Sequence, residues 1–423
     1  MTDVEFITPW ANKKDNDPLH SLCSYLGAFP PSLANYFIKY FTDEDDLVFD
    51  PFSGRGTTLL ESRILRRNAI ASDLNPIALS LSKAKSHFLE VQKIINRIDE
   101  LESNYDYPLF MPEAKAQPDE IHLIFHPRTL AQLCYLRLVL IDSKDKVDEF
   151  LVGAVLGIMH GGERKDGSSG YLSISMPNTF SMSPEYVRRF VQTKQLNREF
   201  RDVFQLLREK TKRTFEKHNQ SKYESVVVDC NSKTTSTNPV LKKYLKKVNL
   251  ILTSPPYLGI VNYARQNWIR SWFLKADPVE VSSRLDDDLN LFEWVKFSKD
   301  SLIEFKKFLA PDGVAVLVIG DVAKSKNSVI PLAREFSAMV KENQLFKNIW
   351  VFSDYIHGGD KTTRIWGETK GKATATDRIV ILSDINPFEN NKRLNGKSTL
   401  TYELVQKSTQ HFLGEILNQE SHA

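Results

Sequence analysis

The sequence predicts an α/β protein built on an open, doubly wound, Rossmann-like sheet that carries a mostly helical insertion. Three stretches predict it. Leu47-Val48-Phe49-Asp50 is a short apolar run ending in an acid, the pattern of a parallel strand buried on both faces. A glycine-bearing turn, Asp50-Pro51-Phe52-Ser53-Gly54-Arg55-Gly56, follows at once, and from Thr58 the apolar residues recur at helical spacing. About two hundred residues on, a second buried-strand candidate, Val248 to Thr253, ends on Ser254-Pro255-Pro256-Tyr257.

Strand, glycine turn and helix in that order form the first half of a nucleotide-binding βαβ unit. Gly54 and Gly56 allow a close backbone approach to a ligand and dihedral angles closed to other residues. The next strand, Ala69 to Asp73, ends in an acid 19 residues after Gly54. That is about the spacing at which such folds set a carboxylate on ribose hydroxyls. Asn75-Pro76 then opens another helix. No Gly-Lys-Ser/Thr follows the turn, which excludes a P-loop ATPase.

The downstream tetrapeptide sits at the carboxyl end of its strand, the edge on which open α/β sheets bind ligands. Two prolines fix the backbone and remove two N–H donors, leaving the Ser254 hydroxyl and the Pro255 carbonyl as rigid acceptors. The exocyclic amine of a nucleobase is a poor nucleophile because its lone pair is delocalised into the ring. Accepting both of its N–H bonds favours a pyramidal nitrogen and aims the lone pair at a sulfonium methyl. Tyr257 offers a flat face for an extruded base, worth roughly 1–3 kcal/mol. Such a base has to leave the duplex to react.

These residues resemble the amino-group DNA methyltransferases, which modify N4 of cytosine or N6 of adenine using S-adenosyl-L-methionine. Within that family Ser-Pro-Pro-Tyr usually accompanies cytosine-N4 activity and Asp-Pro-Pro-Tyr adenine-N6 activity. Leu19 to Leu22 and Ala28 to Leu33 resemble the family's amino-terminal cofactor motif. Val226 to Cys230 resembles the strand whose polar end approaches the cofactor's adenine, and Asp312 to Asp321 the fifth strand. Leu345 to Ile356 and Asp377 to Ser383 resemble the closing antiparallel hairpin. The resemblance covers about residues 19–86 and 223–384. It implies a class I methyltransferase sheet with S-adenosyl-L-methionine held by His20, Phe29, Asp50, Pro51, Phe52, Gly54, Gly56, Thr57, Asp73, Asn75 and Asp229. Ser254, Pro255, Pro256 and Tyr257 would form the catalytic set. The target base would lie in double-stranded DNA, with any restriction nuclease on a separate chain. Many cytosine-N4 enzymes carry the catalytic loop first, so the motif order here keeps adenine-N6 as the alternative. An RNA base methyltransferase and a non-catalytic DNA-binding subunit of a defence complex are the further alternatives. A cytosine-C5 enzyme is excluded: Cys23, Cys134 and Cys230 lack the setting of its nucleophile.

At 423 residues the chain is long for one domain. Residues 1–86 are expected to be the cofactor half, 87–222 an insertion, 223–384 the catalytic half and 385–423 a tail. Apolar residues make up 41%, enough for a packed core, yet no run of about 18 of them suggests a membrane span. The acidic start Met-Thr-Asp-Val-Glu-Phe does not read as a signal peptide, and the three cysteines form neither a disulfide framework nor a metal motif. The expectation is a cytoplasmic protein of a prokaryote or phage, needing no metal.

In the insertion, Val91 to Leu101 and Thr129 to Leu140 have amphipathic helical spacing, and Leu151 to Met159 that of a buried helix. A polar loop, His160 to Gly170, and a basic helical stretch over 184–217 follow. From Arg188 to Lys222 eleven Lys or Arg face four acids, against a net charge of only +3 for the whole chain. That local excess makes this block the expected DNA-holding module, with Arg164, Lys165, Arg188 and Arg189 meeting phosphates. Tyr186 and Phe190 are expected in the core, and His126 and His160 in structural roles. Lys361 and Arg364, on the long connection inside the hairpin, are further DNA candidates. Thr401 to Leu417 reads as one short amphipathic helix.

Overall fold

A computed structural model describes residues 10, 16–176, 182–219, 221–256, 258, 266–286, 288–325, 328–355, 365–366, 369–370, 373–388 and 400–420. The strands are β1 (Leu47–Asp50), β2 (Asn68–Asp73), β3 (Ser225–Asp229), β4 (Val248–Thr253), β5 (Leu309–Ser325), β6 (Ser328–Ile330), β7 (Asn348–Tyr355), β8 (Ile365–Trp366), β9 (Thr369–Lys370) and β10 (Ala373–Ser383). Seven form one path in the order β3-β2-β1-β4-β5-β10-β7, with β6 paired to β5. The first five run parallel, and β10 lies antiparallel between β5 and β7. The chain moves outward from β1 to β2 and β3, then returns to the other side of β1 with β4. The gap between the carboxyl ends of β1 and β4 is therefore the topological switch point, where an open sheet leaves a crevice.

Helices α1 (Pro31–Phe41), α2 (Thr57–Ile64) and α3 (Pro76–Lys83) accompany β1 and β2 within residues 1–86. Alternation along the strands builds two apolar layers. Val48, Leu250, Leu252, Val316 and Val318 face α1 and the carboxy-terminal helix. Phe49, Ile251, Ala315, Leu317 and Ile319 face the opposite layer with Trp294, Phe305 and Phe336. A strand with both faces covered is apolar on both, which accounts for the runs Leu47-Val48-Phe49 in β1 and Leu250-Ile251-Leu252 in β4.

Residues 87–222 hold α4 (Val91–Ser103), α5 (Tyr107–Lys115), α6 (Asp119–His122), α7 (Pro127–Leu140), α8 (Lys146–Ile158), α9 (Pro184–Lys194) and α10 (Val203–Phe215). Their apolar faces share a cluster with Leu19, Leu22, Ile77, Leu81 and Ala84. The approach is closest at α8. A Cβ at Gly157 would lie 1.9 Å from the Leu22 carbonyl oxygen, and one at Gly153 2.5 Å from the Ala84 Cβ. The insertion thus rests directly on the segment that precedes β1.

The basic stretch is not one helix. Gln195 takes a left-handed conformation, φ 49°, ends α9, and leaves Asp202 to cap α10 by accepting from the Gln205 N–H. Tyr186 is 40% exposed and stacks on Phe190 at 5.9 Å, so it is a surface residue rather than a core one. His126 caps α7 by accepting from the Arg128 N–H, and His160 is buried.

Residues 223–384 also hold α11 (Trp268–Phe273), α12 (Pro278–Arg284), α13 (Leu291–Lys306) and α14 (Leu332–Glu342). The capping box of Asn290 and Glu293 starts α13. The last helix, α15 (Tyr402–Glu420), covers the outer strand: Thr409 Oγ1 accepts from the Val351 N–H at 3.1 Å. Covering an edge in this way blocks strand addition from another chain. Among the described residues no helix is long and apolar enough to cross a membrane.

Candidate functional site

A cavity opens at the switch point, lined by the ends of β1, β2 and β4, the segment Tyr25 to Phe29, Cys230, Ser232, Leu285, Asp286 and Phe297. Its floor is the turn after β1. Gly54 and Gly56 have φ of +49° and +76°, angles that disfavour a side chain. A Cβ on Gly56 would also sit 3.2 Å from the backbone of Ser82, so α2 can begin only where the chain hugs α3.

The Asp73 carboxylate holds this turn from the neighbouring strand. One oxygen accepts from the Gly54 N–H and the other from the Asn75 N–H, both at 2.9 Å. Asn75 caps α3 and donates through Nδ2 to the Tyr25 hydroxyl at 3.0 Å. Asp50, at the end of β1, accepts from Thr253 Oγ1 at 2.6 Å and from the Phe52 N–H at 3.2 Å. Burial drives both acids upward, Asp50 to about 7 and Asp73 to about 6. Neither has a Lys or Arg partner among the described residues.

Phe52 packs against Phe297 and Phe305, with ring centroids 5.7 Å apart in each case. The loop after β4 is tied down from two sides. The Ser254 hydroxyl donates to the Val318 carbonyl at 2.9 Å, and Trp294 Nε1 donates to the Pro256 carbonyl at 2.8 Å. A hydroxyl that has given its proton to a strand carbonyl can meet a further donor only as an acceptor.

The cavity brings together Phe29, Asp50, Pro51, Phe52, Gly54, Thr57, Asp73, Asn75, Ser254, Pro255 and Pro256. His20, Gly56 and Asp229 lie off its lining. His20 is buried behind the loop, 2.7 Å from Glu61, which also accepts from Asn35. Burial lowers its pKa despite that carboxylate. Asp229 projects outward and pairs with Arg284 at 2.6 Å. Arg164, Lys165, Arg188 and Arg189 are exposed on the insertion, away from the lining, with Arg188 3.8 Å from Glu120. Tyr257, Lys361 and Arg364 lie outside the described residues.

Sequence reasoning missed Tyr25, Arg55, Asp286 and Phe297 as lining residues. Arg55 carried the one available signal, since it lies inside the glycine motif itself. Asp286 reaches the cavity through an ion pair with Lys233 at 2.9 Å, a meeting of distant segments that no local pattern announces.

A family model described as DNA methylase matches residues 3–84, the stretch holding the amino-terminal segment, β1, the glycine turn and β2. A type II methyltransferase of Methanocaldococcus jannaschii, M.MjaII, is 23% identical over 423 aligned positions, covering 78% of each chain. A second, M.MvaI of Kocuria varians, is 31% identical over 94 residues, 22% of this chain and 21% of that protein. These matches support a likeness to the amino-group DNA methyltransferases. Among solved structures, the rRNA methyltransferase AviRa of Streptomyces viridochromogenes is 11% identical with a TM-score of 0.32, covering 89% of this chain and 95% of its own. Precorrin 8w decarboxylase of Methanobacterium thermoautotrophicum is 9% identical with a TM-score of 0.31, covering 84% and 92%.

The cofactor these matches support is S-adenosyl-L-methionine, and the cavity suits it. Two buried carboxylates without cationic partners match a ligand that carries a sulfonium and an ammonium. Aromatic and apolar groups, Phe29, Phe52 and Phe297, suit its purine and its carbon skeleton.

Proposed function

We propose that this protein transfers the methyl group of S-adenosyl-L-methionine to the N4 amine of a cytosine extruded from double-stranded DNA, at a specific sequence. The observation that carries the proposal is the Ser254 hydroxyl. It lies on the cavity that holds Asp50 and Asp73, and its proton is committed to the Val318 carbonyl. Its oxygen then accepts one N–H of the target amine, and the Pro255 carbonyl accepts the other. Trp294 braces the loop through Pro256, so the two acceptors keep their spacing as the base enters.

The cofactor supplies an electrophilic methyl and leaves as S-adenosyl-L-homocysteine, and the methylated amine releases one of its two N–H protons. The protein's part is alignment: it fixes the amine, draws its lone pair out of the ring plane and keeps water out. Positioning of this kind contributes most when neither partner must reorganise. Tyr257 stacks on the extruded base. Arg164, Lys165, Arg188, Arg189, Lys361 and Arg364 hold the phosphate backbone. His20 acts from behind, through Glu61, to set the amino-terminal segment over the cavity, and Asp229 holds the Arg284 side of the adenine end. The cofactor half, helical insertion, catalytic half and tail divide at about residues 86, 222 and 384. The role fits host defence, with any nuclease on a separate chain.

Transfer of a labelled methyl group from S-adenosyl-L-methionine to double-stranded DNA, single-stranded DNA and RNA of mixed sequence tests the substrate class. Label in double-stranded DNA alone, recovered as N4-methylcytosine, is the expected result. Label in RNA alone, or none with cofactor bound, would overturn it.

A further inference from the structure

Arg55 stands between the two glycines of the loop and lines the cavity beside Tyr25 and Thr57. Its Nε donates to Thr57 Oγ1 at 3.3 Å, and no carboxylate among the described residues pairs with it. Burial lowers its pKa, the response of a cation that has lost water and gained no anion. A second cation lies behind it. Lys85 is fully buried and donates from Nζ to the Arg55 carbonyl at 2.5 Å, and burial brings its pKa down to about 7. The amino terminus of α2, two residues on, has no side-chain cap. Its unpaired N–H groups add positive potential at the same place.

This corner of the cavity therefore sets a guanidinium that has no carboxylate partner among the described residues beside a helix amino terminus, with Lys85 behind them under the more distant influence of Asp17. The opposite charge imbalance sits across the turn at Asp50 and Asp73. A ligand able to complete both halves carries cationic groups and one carboxylate. S-adenosyl-L-methionine has that composition, and its only anionic group is the α-carboxylate.

We propose that Arg55 is the receptor of the cofactor's α-carboxylate, held in place from behind by Lys85. Its guanidinium presents N–H donors in a planar fork that matches a carboxylate, a geometry Lys does not reproduce. The consequence is selectivity. The loop distinguishes the complete cofactor from analogues that keep the adenosine and sulfonium and lack the carboxylate. The inference rests on the cofactor assignment above and adds to it a residue and a ligand group.

The test compares S-adenosyl-L-methionine with its decarboxylated form by calorimetric titration of the full chain, wild type against Arg55→Met and Arg55→Lys. The wild type is expected to prefer the complete cofactor by about 10- to 100-fold, the range of a charge-assisted hydrogen-bonded pair. Arg55→Met should bring the two ligands to within about threefold of each other, with affinity for the decarboxylated form unchanged. Arg55→Lys should fall between the two. Retained binding of the decarboxylated form separates loss of the contact from loss of the fold. Wild-type preference in Arg55→Met, or equal loss of both ligands, overturns the proposal. A wild type that binds neither ligand overturns the cofactor assignment itself.

Discussion

Asp50 makes cofactor affinity depend on pH in a way the structure allows to be worked out. The residue is 2% exposed, its carboxyl accepts from Thr253 Oγ1 and the Phe52 N–H, and its pKa of about 7 lies well above the ~3.9 of an unfolded chain. A raised acid favours the folded state while it keeps its proton. Below about pH 4 that contribution is complete, and it is lost as pH rises through 7, at about 1.4 kcal/mol per unit. Cofactor binding reverses the preference, because a cationic ligand favours the ionised carboxylate. At pH 6 about one-tenth of Asp50 is ionised and at pH 8 about nine-tenths, so its share of the affinity rises about tenfold. Asp73, at about 6, adds roughly a further twofold over the same interval. Affinity should therefore rise about twentyfold from pH 6 to pH 8. Asp50→Asn keeps an oxygen to accept from Thr253 and Phe52 while removing the ionisation. In that variant the rise should shrink to about twofold, and the decline of stability between pH 5 and 8 should flatten. Calorimetric titration at pH 6, 7 and 8, with thermal unfolding at the same values, reads both. An unchanged pH profile in Asp50→Asn would refute the reasoning.

Two other substitutions probe the scaffold and the DNA surface. Gly157→Ala sets a Cβ against the Leu22 carbonyl, where the chain has no room. It should cost about 3 kcal/mol or more in urea unfolding and weaken cofactor binding by shifting the segment before β1. Arg188→Ala with Arg189→Ala should weaken binding to every DNA sequence alike and reduce the slope of log affinity against log salt by about two, measured by fluorescence anisotropy.

The order of elements was legible because a strand covered on both faces leaves no choice of residue type. Leu47 to Asp50 and Val248 to Thr253 could be placed from their apolar runs, and Asp50 with its glycine turn after the first and Ser254-Pro255-Pro256-Tyr257 after the second marked the expected binding edge. Local patterns do not carry the contacts between distant segments. Asp229 follows the pattern of an adenine contact, yet Arg284, 55 residues on, draws its carboxylate outward. Asp286 enters the cavity lining through its pairing with Lys233, and Phe297 arrives on a helix whose amphipathic spacing says only that one face is buried. The break in the basic stretch depends on Gln195 adopting a left-handed angle, for which glutamine gives no advance sign. Tyr186 was misjudged for a similar reason: helical spacing to Phe190 brings the two rings together without saying which face is covered.

In the proposed function, Ser254 and Pro255 accept the two N–H bonds of the amine of an extruded cytosine. That role is tested most directly by single-molecule sequencing of DNA from a methylation-deficient host that expresses the wild-type chain or Ser254→Ala. The wild type should leave N4-methylcytosine at one short motif, and Ser254→Ala should lose the mark while calorimetric cofactor affinity stays within about threefold of wild type. N6-methyladenine at the motif, or an undiminished mark in Ser254→Ala, would contradict it.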